Sequence, residues 1–229
     1  MKKISLSNNC VACPYRWKYL NLLQDEDIKA IQGNCLNINF KKGETICKQG
    51  TNVTHALYLA KGMVKLYLEG KKSLILKVIK QGQYIDLQTL FGDFVYRYSV
   101  SAAEDSMVCM INADFFLKTA KGNPDFLFEL TNTISTSTNY VYKKINDLGR
   151  KQLRGRIADA LLYFSEEIYE SETFDLNFTR KEIAELSAMS TENAVRLLTE
   201  LKKEGIISVE GRHFKVLQID LLRKISEIG

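Results

Sequence analysis

The chain predicts an α+β protein in three parts: an N-terminal roll of short strands, one long helix, and a C-terminal helix pair with a tight turn and a trailing β-hairpin. Three observations carry this. From about Asn37 to Asn112, short alternating runs are punctuated by Gly43, Gly50, Gly62, Gly70, Gly82 and Gly92, the signature of a barrel or jelly roll. Between Pro124 and Lys151 the apolar residues take a helical period instead. From Phe178 to Gly205 two capped helical segments are separated by only a few residues. The boundaries implied are 1–121 for the roll, 122–150 for the long helix and hinge, and 151–229 for the C-terminal domain.

Within the roll, Ala56–Leu59, Met63–Leu68 and Leu74–Ile79 read as strands, with a hairpin turn at Glu69-Gly70-Lys71. In the long helix Leu127, Ile134, Val141 and Leu148 repeat every seven residues, with Leu130 three after the first. That register fits a seam between two copies of the chain; the alternative is a helix buried in its own protomer. Polar Thr136, Ser137 and Thr138 interrupt it. A further helix from Leu153 to Tyr169 carries Ile157, Leu161, Leu162 and Phe164 inward, and the junction near Asp147–Arg150 is the expected hinge.

In the C-terminal segment Thr179 is placed to cap a helix while Glu182 reaches back, a capping box. Ile183 and Leu186 supply that helix's inner face. After Ser187-Ala188-Met189 the chain caps again at Ser190, and Ala194, Leu197, Leu198 and Leu201 recur until Gly205 ends the second helix. This is a helix-turn-helix pattern. Glu192 and Arg196 share the outer face with Thr191 and Val195 near the N-terminal end, the part of such a helix that enters a DNA major groove. An arginine fork matches guanine O6 and N7, a glutamate accepts from cytosine N4, and a valine touches a thymine methyl. The competing reading is an ordinary i,i+4 surface ion pair between Glu192 and Arg196. Ile206–Val209, a turn at Glu210-Gly211-Arg212 and His213–Leu217 then alternate as a hairpin, a wing beside the helix pair.

Charge tempers the expectation. The net charge is +5, but from Arg150 onward 13 Lys and Arg face 14 Asp and Glu, so non-specific attraction to DNA is modest. Specific contacts and local clusters such as Arg150, Lys151, Arg154 and Arg156 must then carry much of the affinity. No apolar run of spanning length and no secretory leader is visible, and five cysteines at irregular spacing do not form a disulfide framework. A reducing cytoplasm is the expected compartment, with no membrane partner.

The segment TRKEIAELSAMSTENAVRLLTELKKEGIISVEGR resembles the DNA-binding half of the cyclic-AMP receptor and fumarate-nitrate regulator (CRP/FNR) family, and FKKGETICKQG with ALYLAKGMVKLYL resembles its cyclic-nucleotide-binding-like β-roll. The resemblance implies a homodimeric transcription regulator that binds double-stranded DNA at a two-fold symmetric operator. It implies contact with RNA polymerase if the protein activates. It assigns Glu192 and Arg196 to base reading, and Thr179, Arg180 and Ser190 to phosphate contact. Ala188 stands where the family often has glycine, and Thr191 and Val195 stand where many members have arginine or serine. A central GA step suits the retained Glu and Arg.

The same resemblance places an effector pocket around Asp86, Leu87, Arg97 and Tyr98, with Thr136, Ser137 and Thr138 facing it. Members that hold a cyclic nucleotide carry Gly-Glu and Arg-Ser pairs there. Here Asp86-Leu87 and Arg97-Tyr98 replace them, and an aspartate repels a phosphodiester while leucine cannot accept from a ribose hydroxyl. The expected effector is an unknown small molecule or a redox signal, not cyclic AMP or cyclic GMP.

Cys10 and Cys13 form a C-x-x-C pair, and Cys109 lies in a strand resembling one that bears an iron-sulfur ligand in oxygen-sensing members. A cubane takes four thiolates, and Tyr19 stands where the family has its next cysteine. Cys35 or Cys47 would serve only if the fold brought one within reach. Thiol redox chemistry and purely structural cysteines are the alternatives. Haem would rest on His55 alone, since the other histidine, His213, belongs to the wing. The same scarcity of histidine argues against a β-roll metalloenzyme. A regulator with no effector, set by abundance, is a third reading.

Overall fold

The computed structural model describes residues 4–5, 15–16 and 18–229. A short strand β1 (Ile4–Ser5) and a 3₁₀ turn (Lys18–Leu22) precede α1 (Asp25–Gly33). The roll is built from β2 (Cys35–Phe40), β3 (Thr45–Cys47), β4 (His55–Lys61), β5 (Met63–Leu68), β6 (Leu74–Lys80), β7 (Gln83–Tyr84), a one-turn helix α2 (Leu87–Leu90), β8 (Ser99–Ala102) and β9 (Ser106–Asn112). Its two sheets run β1-β2-β9-β4-β7 and β3-β8-β5-β6. Non-sequential neighbours of this kind are what a rolled antiparallel sheet requires.

Alternation along the strands explains the layering. Leu57 and Leu59 on β4 and Val108 on β9 are buried, on the opposite face from Tyr58 and Cys109, because successive side chains point to opposite sides. That second face is covered as well. Tyr58, Tyr84, Phe116 and Phe126 form a column of tilted rings with centroids 5.3, 5.4 and 6.0 Å apart, joining the sheet to α3 (Ala113–Gly122) and to the start of α4 (Pro124–Arg150). Asn112 caps α3 by accepting from the Phe115 amide at 3.0 Å. Pro124 takes the first position of α4, where a missing N–H costs nothing.

One expectation for α4 needs correction. Leu130 is fully buried together with Phe126, and both belong to the core of their own protomer; Leu127 and Ile134 pack against that core. The aromatic column pulls these residues inward, so the sevenfold register read from Leu127 is in part an intramolecular face. The large apolar residues that α4 leaves exposed are Phe128, Tyr142 and Ile145.

The chain divides into two compact units, residues 1–68 with 78–140, and residues 69–77 with 141–229. In the second unit α5 (Leu153–Leu162) continues through a π-helical turn, Tyr163–Ile168. Then come β10 (Thr173–Asp175), α6 (Arg180–Leu186), α7 (Thr191–Lys203), β11 (Ile207–Glu210), β12 (His213–Val216) and α8 (Ile219–Ile228). Its core gathers Ile157, Leu161, Phe164, Ile183, Leu201 and Leu222, all fully or nearly fully buried. Strand β10, which pairs with β12, and α8, which packs on α5, are additions to the expected hairpin and helix pair. Among the described residues no helix is long and apolar enough to cross a membrane.

Candidate nucleic-acid interface

Both helices of the C-terminal pair begin and end on identifiable hydrogen bonds. Thr179 Oγ1 accepts from the Glu182 amide at 3.2 Å, and Glu182 Oε2 accepts from the Thr179 amide at 2.7 Å, completing the capping box. Helix α6 ends with the Met189 amide donating to Ala184 O at 3.0 Å and the Ala188 amide reaching Glu185 O at 3.5 Å. This is a Schellman motif, and it puts Ala188 at φ +51°. Helix α7 ends the same way: Ile206 donates to Leu201 O at 3.0 Å, Gly205 to Lys202 O at 3.1 Å, and Gly205 sits at φ +70°. The glycine often found in the turn of related sequences therefore answers to a real left-handed corner, which this chain fills with alanine.

Helix α7 starts at Ser190, whose side chain accepts from the Asn193 amide at 3.3 Å. Ala194, Leu197, Leu198 and Leu201 turn inward, while Glu192, Val195 and Arg196 are exposed and Thr191 is half-buried. One alanine and three leucines packed over about two turns thus hold a polar edge out to solvent, as a groove-reading helix must. Glu192 and Arg196 do not pair with each other. Arg196 bridges to Glu200 at 2.6 Å, whereas the Glu192 carboxyl is held below the usual carboxylate range by its own helix-start amide and the Ser190 hydroxyl. Glu192 is therefore an exposed anionic acceptor, and Arg196 is held one turn further along.

The wing closes beside them. β11 and β12 pair from Ile207 to His213 around Gly211 at φ +60°. Arg180, expected at phosphate, lies 4.7 Å over the Phe214 ring and donates to Gly211 O at 3.1 Å. It ties the wing turn to the first turn of α6 and is half-withdrawn from water. Lys202 donates to Val209 O at 2.8 Å, fixing the wing to α7 from the other side.

The expected effector residues separate. Asp86 is buried and turned into its own chain, capping α2 by accepting from the Thr89 amide at 3.2 Å and hydroxyl at 2.5 Å. Tyr98 donates to the same carboxylate, and burial pushes the Asp86 carboxyl up, with these bonds opposing. Leu87 is core, and Arg97 is exposed in an ion pair with Asp93. On α4 Thr136 is exposed, and the Thr138 hydroxyl bonds back to Ile134 O at 3.0 Å. Only Asp86 and Tyr98 are brought together, and Thr89 joins them unforeseen, signalled in the sequence only by its place three residues after an aspartate.

Cys10 and Cys13 lie outside the described residues. Cys109 pairs across the sheet with Asn37 and with Tyr58, and Cys35 pairs with Ile111. Cys35 and Cys109 thus share one face as diagonal neighbours, a relation of about 7–8 Å between Cα atoms. The Tyr58 hydroxyl on that same face donates to Tyr15 O at 2.7 Å. Cys47 is in the other sheet with its thiol pushed up to about 12 by burial, which makes it a poor thiolate. Cys35 and Cys109 are therefore two cysteines on one described face, and no group of three or more metal-binding side chains occurs among the described residues.

A roll of this topology with a winged helix-turn-helix defines a class, the effector-domain transcription regulators. The comparisons specify it. Residues 37–123 match the cyclic nucleotide-binding domain, and residues 155–225 match the Crp-like helix-turn-helix domain. The chain belongs to the CRP/FNR family of transcription regulators. It is 25% identical over 194 residues to the cAMP-activated global transcriptional regulator CRP of Salmonella typhimurium, covering 82% of this chain and 92% of that protein. It is 22% identical over 236 residues to the transcriptional activator protein FnrL of Cereibacter sphaeroides, covering 98% and 94%. The structure of FixK2 from Bradyrhizobium japonicum shares the fold with a TM-score of 0.76 at 19% identity, covering 83% of this chain and 96% of that one.

Proposed function

We propose that this regulator acts as a homodimer in the cytoplasm, reads a two-fold symmetric operator through Glu192 and Arg196 with Thr191 and Val195 beside them, and answers to a small molecule or redox signal other than a cyclic nucleotide. The observation that carries the DNA reading is the exposed, individually held Glu192 and Arg196 at the N-terminal end of a helix whose other face is fully packed. Thr179, Arg180 and Ser190 lie at the two helix starts, the places proposed for phosphate contact. The exposed Phe128, Tyr142 and Ile145 on α4 support a second copy as its partner, and two such copies would present recognition helices about 34 Å apart. An activator would in addition contact RNA polymerase.

Against a cyclic nucleotide stands the buried Asp86 carboxyl, already committed to Thr89 and Tyr98. The test of the DNA reading is Arg196→Ala on an operator selected by the parent from random DNA. It should lose about 1–3 kcal/mol of discrimination at one guanine in each half-site. Equal discrimination by parent and variant would sink the assignment.

A redox signal is the more specific version of the sensing role, favoured by Cys35 and Cys109 on one sheet face, with Tyr15 bonded to it. Anaerobic purification, with iron and acid-labile sulfide measured per chain, separates the cases. Near-stoichiometric iron and sulfide, reduced in Cys35→Ser and Cys109→Ser alike, would establish a cluster. A colourless, metal-free dimer would direct the search to organic effectors or thiol chemistry.

A further inference from the structure

The turn between α6 and α7 is held by two cations that flank the junction of α4 and α5. Lys144, in the last two turns of α4, donates through Nζ to Leu186 O at 3.0 Å. Arg156, in the first turn of α5, donates to Ala188 O at 3.3 Å and through Nε to Lys151 O at 2.9 Å, the residue that follows α4. Lys151 in turn reaches Asp159 at 2.7 Å, Ser226 at 3.2 Å and Asp147 at 3.7 Å. The end of α4, the start of α5 and the helix-turn-helix corner are thereby cross-tied within one compact unit.

The Lys144 contact is costly to keep. Its acceptor is a neutral carbonyl, and burial pushes the ammonium down to about 8, with Asp159 only partly opposing. A methionine would fill the same space without removing a charge from water. A charge retained at such a place is explained better by geometry than by stability, because a directional bond ties the corner to the end of α4 within the same unit.

We propose that Lys144 and Arg156 are positioning residues that clamp the helix-turn-helix corner to the end of α4, and that this clamp sets the half-site spacing the dimer selects. The proposal rests on the dimeric DNA-reading role proposed above. A dimer with rigidly held recognition helices should reject half-sites moved by one base pair, since their separation is fixed by protein geometry. A loosened corner would let each helix find its own half-site.

The experiment measures affinity of the full-length protein for its selected operator and for versions lengthened or shortened by one base pair between half-sites. The parent should prefer its own spacing by about tenfold or more, and Lys144→Met should reduce that preference to about threefold or less while keeping the guanine preference set by Arg196. Lys144→Gln, which still offers an amide donor, should restore part of the spacing preference. Should Lys144→Met fold poorly, Arg156→Gln tests the second arm of the clamp with the same expected loss. An unchanged spacing preference in a folded variant overturns the clamp alone, because Arg196→Ala run beside it still reports on base reading. A parent that selects no two-fold sequence overturns the DNA reading and the clamp together.

Discussion

The two units each draw an ionisable group out of water, fully for Asp86 and in part for Lys144, and they do so in opposite ways. In the roll, Asp86 is satisfied almost locally, by Thr89 three residues on and by Tyr98 on the same stretch of chain. In the DNA-reading unit, Lys144 bonds a carbonyl 42 residues away, and Arg156 one 32 residues away. A local bond rigidifies one turn, whereas a bond between distant elements fixes their mutual angle. The roll thus spends its buried polarity on closing a local corner, and the second unit spends it on aiming a helix.

The largest effect expected from breaking this contrast lies at a corner of the roll. Gly62, between β4 and β5, has φ +93°, and a Cβ there would meet Asp105 O at 2.7 Å and the Ser106 Cα at 2.8 Å. Gly62→Ala combines backbone strain with overpacking against main chain, so it should cost about 3–5 kcal/mol. Denaturant unfolding followed through the roll would read this directly; a loss under 1 kcal/mol, on the order of an ordinary surface change, would show that the corner relaxes.

The next effect is a pH dependence in the second unit. The Lys144 ammonium gives up its proton through about 8 in the folded chain but keeps it to the ordinary lysine value of 10.5 when unfolded. Between those values folding releases a proton, so stability rises with pH, by up to about 3 kcal/mol across the window. Below pH 8 both states are protonated and the burial penalty is fully felt. Unfolding free energies of the parent minus those of Lys144→Met should therefore climb from pH 8 to 10, with other titrations cancelling in the difference. A flat difference would mean that the ammonium is well hydrated.

Asp86→Ala should cost about 1–3 kcal/mol, since it removes the α2 cap and leaves the Tyr98 hydroxyl without its acceptor. Asp86→Asn keeps an acceptor oxygen and should lose less. Equal stability of all three proteins would mean that the corner is open enough for water to replace the carboxylate, and would return this place to the list of ligand sites.

How much of this was legible in the sequence follows from the range of the forces involved. The C-terminal helices were readable because their boundaries are set within four residues: Thr179 with Glu182, Ser190 with Asn193, Gly205 at the end. The strands of the roll were readable from alternation and glycine corners. Leu130 was misplaced because a sevenfold register cannot say whether its apolar face meets a partner or Phe126 and Phe116 of the same chain. The bonds of Asp86 to Thr89 and Tyr98 are not legible, because sequence position alone does not give the direction of a side chain. Strand β10 is three residues long and exists only through its ladder with β12. The clamp was invisible for the same reason: no pattern along the chain joins Lys144 to Leu186.

The smallest effect sharpens the comparison between corners. Gly62 and Ala188 both sit at positive φ, +93° and +51°, but the roll uses the residue that permits it and the helix-turn-helix does not. An L-residue in the left-handed region carries a penalty of roughly 1–2 kcal/mol, which Ala188→Gly relieves while adding chain entropy to the unfolded state. The net should be a gain of about 0.5–1 kcal/mol, seen as a higher melting temperature with unchanged operator affinity. Ala188 is half-buried and stands outside the buried face that Ile183, Ala184, Leu186 and Leu197 supply. If Ala188→Gly instead weakened operator binding at constant stability, the strained alanine would be part of the device that holds the corner against Arg156, and the strain would have a function.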